Sequence, residues 1–197
     1  MKILSAKYLR SIAVTGETRL LDDPEFCFVG RSNVGKSSMI NRLVMQKVAR
    51  TSSTPGATKL INIYELVCET GGTRKRLIFS DFPGFGYSKV SRNIYQGWQG
   101  MVENYLVNNR FIKKLIWVYD VRREIDETDE MLIRWLHRRE LDYTFVLTKI
   151  DKVNKSETYL KKKSFENLFG SREVFTFSSK DGYGRTELLS HILSVIK

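Results

Sequence analysis

A three-layer α/β architecture is what this chain predicts: a mostly parallel six-stranded sheet with one antiparallel strand, and helices on both faces. Short apolar runs alternate with amphipathic stretches of helical period along most of the length, as in strand–helix–strand units. One hairpin signal, Glu69-Thr-Gly-Gly-Thr73, interrupts that alternation and requires two neighbouring strands to run antiparallel. The polar motifs fall at the ends of the apolar runs, where sheets of this kind place their ligands. The 197 residues suit one domain with a full core, residues 1–24 forming a lead-in without a motif.

Ser11-Ile-Ala-Val-Thr15 alternates and suggests a leading edge strand. Leu21-Asp-Asp-Pro-Glu25 then leads into Phe26–Val29, an apolar run that reads as a buried strand. Gly30-Arg-Ser-Asn-Val-Gly-Lys-Ser-Ser38 follows without a gap, and an amphipathic helix runs on to Val44. Ala49–Lys59 is rich in Ser, Thr, Pro and Gly, holds no core pattern and reads as a mobile loop. Leu60–Val67 is a strand, and Arg76–Ser80 runs back beside it, ending in Asp81-Phe-Pro-Gly-Phe-Gly-Tyr87. A Ser- and Lys-rich segment precedes a helix from about Tyr95 to Val107. Lys114–Asp120 is continuously apolar, as a parallel strand covered on both faces should be. Met131–Leu136 reads as helix, Tyr143–Leu147 as a strand ending in Thr148-Lys-Ile-Asp151, and Ser156–Phe169 as a lysine-rich helix. Strand Val174–Phe177, the loop Ser178–Gly184 and a helix over Thr186–Ile196 complete the chain, with no internal repeat.

Composition narrows the options. Three prolines and the absence of a low-complexity tract exclude extensive disorder. No apolar run reaches membrane-spanning length, and the N-terminus is too short and interrupted for a signal peptide, so a cytoplasmic protein is expected, an organellar homologue lacking its presequence being the alternative. Cys27 and Cys68 lie in strand-like runs, too few for a zinc site or a disulfide framework, and read as small core residues. His137 and His191 have no metal partner at i+4 and read as surface or satisfied core residues. Lys and Arg outnumber Asp and Glu by 33 − 22 = 11, more than a small anionic ligand explains. A large polyanion such as RNA or a ribosomal surface accounts for the excess; a solvated basic surface is the alternative.

Strand, glycine loop and helix in that order form a phosphate-binding loop. Backbone amides converge on an anion only where side chains do not intrude, hence Gly30 and Gly35, and the helix N-terminus adds to the field. Lys36 is placed to reach β- and γ-phosphates and Ser37 to sit on Mg²⁺. Asp81 closes its strand and can hold the same ion through water, with the Gly84 amide toward the γ-phosphate. In Thr148-Lys-Ile-Asp151 the carboxylate of Asp151 can accept from the N1–H and exocyclic amine of guanine, a pair adenine lacks. The Lys149 stem would pack along the base, and Ser178 and Ser179 can present backbone amides to the guanine O6.

With these residues, and with Thr54-Pro-Gly-Ala-Thr58, Asp120-Val-Arg122 and Ser178-Ser-Lys180, the chain resembles the translation-factor-class GTPases of the Era/TrmE branch. It is most similar to the EngB (YihA/YsxC) family, from about Phe26 onward. The resemblance implies a P-loop GTPase of the Ras-like G-domain type, binding GTP and GDP with Mg²⁺. It implies a switch in large ribosomal subunit assembly, with the precursor's rRNA and ribosomal proteins as partners and a link to cell division and septation. A monomer that engages neither membrane nor DNA is expected. Carried over residue by residue, nucleotide contacts fall on Gly30, Arg31, Ser32, Asn33, Val34, Gly35, Lys36, Ser37 and Ser38. They continue on Gly56, Ala57, Thr58, Lys59 and Leu60, on Asp81, Phe82, Pro83 and Gly84, on Thr148, Lys149, Ile150 and Asp151, and on Phe177, Ser178, Ser179 and Lys180. Thr58 matches the switch threonine that joins Ser37 and Asp81 about Mg²⁺; Lys36, Thr58, Gly84 and Asn33 are the catalytic set. Phe82 and Phe85 depart from the aliphatic and tyrosine residues of many relatives.

Phe85 stands where many GTPases carry a water-positioning glutamine and can neither donate nor accept a hydrogen bond, so intrinsic hydrolysis should be slow. Asn33 offers an amide oxygen to K⁺, as in related GTPases, or a loop-stabilising hydrogen bond. Phe85, Tyr87 and Trp98 are candidate anchors of a surface formed in the GTP state, Trp98 reading rather as core. Lys152, Lys155 and Lys161–Lys163 are candidate rRNA contacts or a solvated helix face. A nucleotide kinase would need an arginine-bearing lid, for which there is no insertion. A purely RNA-binding module would not need Lys36, Ser37, Asp81 and Asp151 intact.

Overall fold

The structure is a computed structural model and describes residues 2–12, 22–51, 60–85, 100, 104–169 and 173–196. Among these residues seven strands form one sheet: β1 (Lys2–Ile12), β2 (Glu25–Val29), β3 (Ile61–Thr70), β4 (Thr73–Asp81), β5 (Ile112–Asp120), β6 (Tyr143–Thr148) and β7 (Val174–Phe177). Their order is β1-β3-β4-β2-β5-β6-β7. β3 is antiparallel to both β1 and β4, and the remaining pairs are parallel, so β3 alone runs against the others.

The count corrects the expected six. The leading strand occupies Lys2–Ile12, earlier than Ser11–Thr15, and residues 13–21 lie outside the described set. Register shifts at Ile3/Ser5 and Tyr8/Arg10 break its pairing with β3. Each bulge inverts the alternation of faces, which is why β1 shows no clean period of two.

Among the described residues four helices follow from amphipathic stretches, α1 (Lys36–Val44), α2 (Glu127–Arg138), α3 (Lys155–Leu168) and α4 (Arg185–Ser194), with residues 104–108 also helical. Only the end of the helix expected over Tyr95–Val107 is thus described. α1 and α4 cover one face, where Met39, Ile40, Leu43, Leu188, Ile192 and Leu193 pack on Phe26, Phe28, Phe79, Ile116 and Val146. On the other face Tyr105, Leu106, Leu132, Leu136 and Phe165 pack on Cys27, Ile78, Leu115, Trp117 and Phe145. Both cysteines are free and buried, as read. Every residue of β2 and β6 is buried, which fits strands clothed on both sides. Each large side chain so buried contributes roughly 1.5–3 kcal/mol. The parallel strands therefore deliver their C-terminal ends, rigidly spaced, to one rim.

Candidate functional site

The loop after β2 turns at Gly30, where φ is 152° and a Cβ would lie 2.3 Å from the Val118 carbonyl oxygen. No side chain fits so close to β5, so the chain can leave β2 at this angle only as glycine. α1 begins at Lys36, and that lysine folds back over the loop: its Nζ donates to the carbonyls of Gly30 and Arg31, each at 3.2 Å. Ser37 donates from Oγ to Asp81 Oδ2 at 2.5 Å. Asp81, at the end of β4, is buried, and its Oδ1 has no hydrogen-bond partner among the described residues. Burial pulls the Lys36 ammonium below its ordinary value, Asp81 opposing. Burial likewise pushes the Asp81 carboxyl up, against Lys36 and the Ser37 hydroxyl. A hard cation with oxygen ligands fits this corner: a hydroxyl and a carboxylate face each other, and one buried carboxylate oxygen is unpartnered.

The segment after Asp81 lies on the loop. Ser32 donates its amide to the Phe85 carbonyl at 3.1 Å and its Oγ to the Gly84 carbonyl at 3.2 Å. A Cβ on Gly84 would lie 2.6 Å from Ser32 Cα, so glycine is required there by contact alone. Phe82 is buried and donates its amide to the Phe28 carbonyl; Pro83 follows it. Phe85 corrects the sequence reading: it is 3% exposed, edge-on to Trp117 at 5.9 Å, and belongs to the core rather than to a surface. An aromatic after the Asp-x-x-Gly turn completes the apolar floor under the loop.

The Arg31 side chain points away from the cradle. It pairs with Asp126 at 2.6 Å and approaches Asp129 at 3.7 Å, with its guanidinium 5.8 Å from the Phe85 ring centre. Those aspartates also cap α2 reciprocally, Asp129 N–H to Asp126 and Asp126 N–H to Asp129. Burial, then the Asp126 charge, pushes the Asp129 carboxyl up. Only the Arg31 backbone is left to a phosphate. Nothing in the sequence spacing pointed to this tie, since the partners are 95 residues apart.

At the end of β6, the Thr148 hydroxyl reaches the Val34 carbonyl at 2.7 Å and the Tyr119 carbonyl at 3.0 Å, binding β6 to the loop. Lys149, at φ 59°, donates to the Asn33 carbonyl at 2.6 Å. Asn33 is itself left-handed, at φ 61°. Asp151 lies in a short 3₁₀ turn that opens at Ile150, and its Oδ1 accepts from Ser178 Oγ at 3.1 Å. Ser178 gives its amide to the Tyr183 carbonyl at 3.1 Å, so that amide is not available to a base; Ser179 and Lys180 follow in the turn. Phe177 is a fully buried core residue, Ser38 is half-buried on α1, and Leu60 is 39% exposed. The structure thus brings together the loop, Asp81–Gly84, Thr148–Asp151 and Ser178–Lys180. Thr54, Gly56, Ala57, Thr58 and Lys59, with Tyr87 and Trp98, lie outside the described residues.

The lysine-rich helix is less free than expected. Lys161 pairs with Glu124 at 2.8 Å, Lys163 with Glu166 at 3.3 Å, Lys162 with Glu166 at 3.8 Å, and Lys152 with Asp151 at 3.7 Å. His137 meets the Tyr143 hydroxyl, and His191 pairs with Glu173 at 2.9 Å, so both are satisfied polar residues.

Residues 25–149 match the profile of the family described as "50S ribosome-binding GTPase". The chain is 36% identical to a probable GTP-binding protein EngB of Syntrophus aciditrophicus, covering 98% of this chain and 95% of that one. It is 39% identical to a probable GTP-binding protein EngB of Aquifex aeolicus, covering 88% and 91%. Among solved structures, Era in complex with MgGDPNP and a stretch of 16S ribosomal RNA superposes with a TM-score of 0.71 at 22% identity. That match covers 89% of this chain and 57% of Era, and it speaks for the fold. The relatives span nearly the whole chain and the family profile more than half of it, so the chain belongs to the EngB family of GTP-binding proteins.

Proposed function

We propose that this protein is a GTP-driven switch with slow intrinsic hydrolysis, acting in assembly of the large ribosomal subunit and thereby linked to cell division and septation. One observation carries the reading: the sheet gathers Lys36, Ser37 and Asp81 at one end of a rim of strand ends and Asp151 with Ser178 at the other. The family's description as ribosome-binding supports the partner, as does the excess of 11 positive charges. No helix among the described residues is long and apolar enough to cross a membrane. The relatives are bacterial, and we place the protein in the cytoplasm as a monomeric G domain.

The loop amides of Asn33 to Ser38 bind the phosphates, and Lys36 leaves the Gly30 and Arg31 carbonyls to reach them. Ser37 and, through water, Asp81 would hold Mg²⁺ together with Thr58, and the ion would supply positive charge to the phosphates. The Gly84 amide faces the γ-phosphate and couples its presence to the segment beyond. Asp151, fixed by Ser178, selects guanine because an adenine edge offers its carboxylate no matching pair of donors. Phe85 cannot orient a water, so turnover depends on an added charge, from K⁺ held at Asn33 or from the ribosomal partner.

Calorimetric titration with GTP, GDP and ATP in Mg²⁺ tests the nucleotide half: guanine nucleotides should bind at least a hundredfold more tightly than ATP. Equal affinities would end the reading. Co-sedimentation with large ribosomal subunits tests the other half. A non-hydrolysable GTP analogue should hold the protein on the particle and GDP should release it; no retention with either would refute the partner.

A further inference from the structure

Asp120 and Arg122 stand beside Lys149 and near Asp151 at the strand ends and have no part in the mechanism above. Asp120 closes β5 and is 5% exposed. Its carboxylate is filled from within the protein. Oδ1 accepts from the Arg122 amide at 3.1 Å and from Nε at 2.9 Å. Oδ2 accepts from Arg122 Nη2 at 2.7 Å and lies 3.0 Å from the Lys149 ammonium. Lys149 in turn donates to the Asn33 carbonyl at 2.6 Å. One ammonium is therefore shared between the end of β5 and the phosphate loop, two residues from Asp151. Burial works against the charge on Asp120, but hydrogen bonds from Arg122 and Lys149 outweigh it and hold the carboxyl at about 2. The anchor is thus an anion throughout the physiological range.

We propose that Asp120 and Arg122 are positioning residues of the base subsite: Arg122 orients the Asp120 carboxylate, Asp120 fixes the Lys149 ammonium, and the Lys149 stem becomes a preformed wall for the purine face. The inference rests on the guanine-nucleotide reading of the cleft. A lysine stem free in solvent loses rotamers when a ring packs on it, and that loss weakens binding. A stem already pinned at its far end has lost them on folding, so the ring meets a prepared surface. Arg122 also feels the Asp151 charge, which eases the placement of two carboxylates at neighbouring strand ends. Contact with a purine face does not read the base edge. The clamp therefore sets how tightly a nucleotide is held, while Asp151 sets which one.

The test is a double-mutant cycle on nucleotide release, using GDP, IDP and ADP with the full-length protein. Asp120→Asn should weaken GDP and IDP by the same factor, about tenfold and chiefly through faster release, with the preference over ADP and kcat at saturating GTP retained. Lys149→Met should weaken GDP and IDP by at least as much. The double variant should be no weaker than Lys149→Met alone, because both changes act through one ammonium. Independent, multiplying losses would overturn the proposal, as would Asp120→Asn binding like wild type or altering the GDP-to-ADP preference. If Asp120→Asn fails to fold, Arg122→Gln serves, since that side chain is half-exposed. It should give a smaller loss of the same kind at unchanged Tm, and wild-type binding by it would overturn the clamp. Should wild type hold ADP as tightly as GDP, the guanine reading itself falls and the clamp with it.

Discussion

Asp81 and Lys36 are both nearly inaccessible to solvent, and burial pushes each toward its neutral form. The Asp81 carboxyl is therefore an expense to the ligand-free fold that Lys36 and Ser37 offset only in part. Its folded value lies above the ordinary 3.8, so the favourable contribution belongs to the protonated form and is lost as pH rises through the folded value. Asp81→Asn removes that penalty at neutral pH. The variant should melt higher than wild type without ligand, by about 2–4 °C for each kcal/mol recovered in a chain of this size. It should also gain less than wild type from Mg²⁺ and GDP, which should raise the wild-type Tm. Scanning calorimetry at pH 7.5, with and without Mg²⁺·GDP, reads both effects. A lower ligand-free Tm for Asp81→Asn would show that the Lys36–Asp81 contact outweighs the burial of the charge. The same tension between stability and chemistry explains why Asp81 and Lys36 stand out in the sequence: charged residues at the edge of apolar runs are kept where a ligand neutralises them.

In α4, His191 offers a pH test far from the cleft. Its Nδ1 lies 2.9 Å from Glu173, and its Nε2 faces Thr144 at 3.0 Å and Lys114 at 3.2 Å; Asp142 pairs with Lys114 at 3.2 Å. Burial and then the Lys114 charge pull the imidazole below 6.5, Glu173 and Asp142 opposing. A histidine harder to protonate folded than unfolded costs stability as pH falls below its unfolded value. The Tm should therefore drop between pH 7 and 5.5, and His191→Gln should flatten that drop; an unchanged slope in the variant would refute the assignment. Elements like α4 were legible because their apolar residues keep helical period. β3 and β4 were legible because Thr70-Gly-Gly-Thr73 admits a tight turn. β1 was not, for its bulges scramble the alternation and its partner is β3, some fifty residues onward. The reciprocal cap of Asn154 and Glu157 on α3 was visible in principle as a polar residue three before a glutamate.

Across the whole molecule, the motifs of the cleft could be recognised because parallel strands gather their C-terminal ends on one rim, whatever lies between them in sequence. The wiring among them could not. Thr148 meets Val34 across 114 residues, Arg31 meets Asp126 across 95, and which charged side chain turns inward depends on packing that no local pattern encodes. The excess of 11 positive charges poses the same problem, for composition does not say where it acts. Lys162 and Lys163 share Glu166, at 3.8 and 3.3 Å, so their field at a distance is partly cancelled. If both met RNA phosphates, replacing them with Gln would reduce the slope of log K against log salt by about 1.8, at roughly 0.9 per phosphate contact. Because Glu166 already holds them, the reduction should stay below about one. Filter binding of ribosomal RNA between about 50 and 200 mM salt measures the slope for wild type and for Lys162→Gln/Lys163→Gln. A reduction of about 1.8 in the variant would put the RNA on α3; a retained slope sends the search to cations without an acidic neighbour.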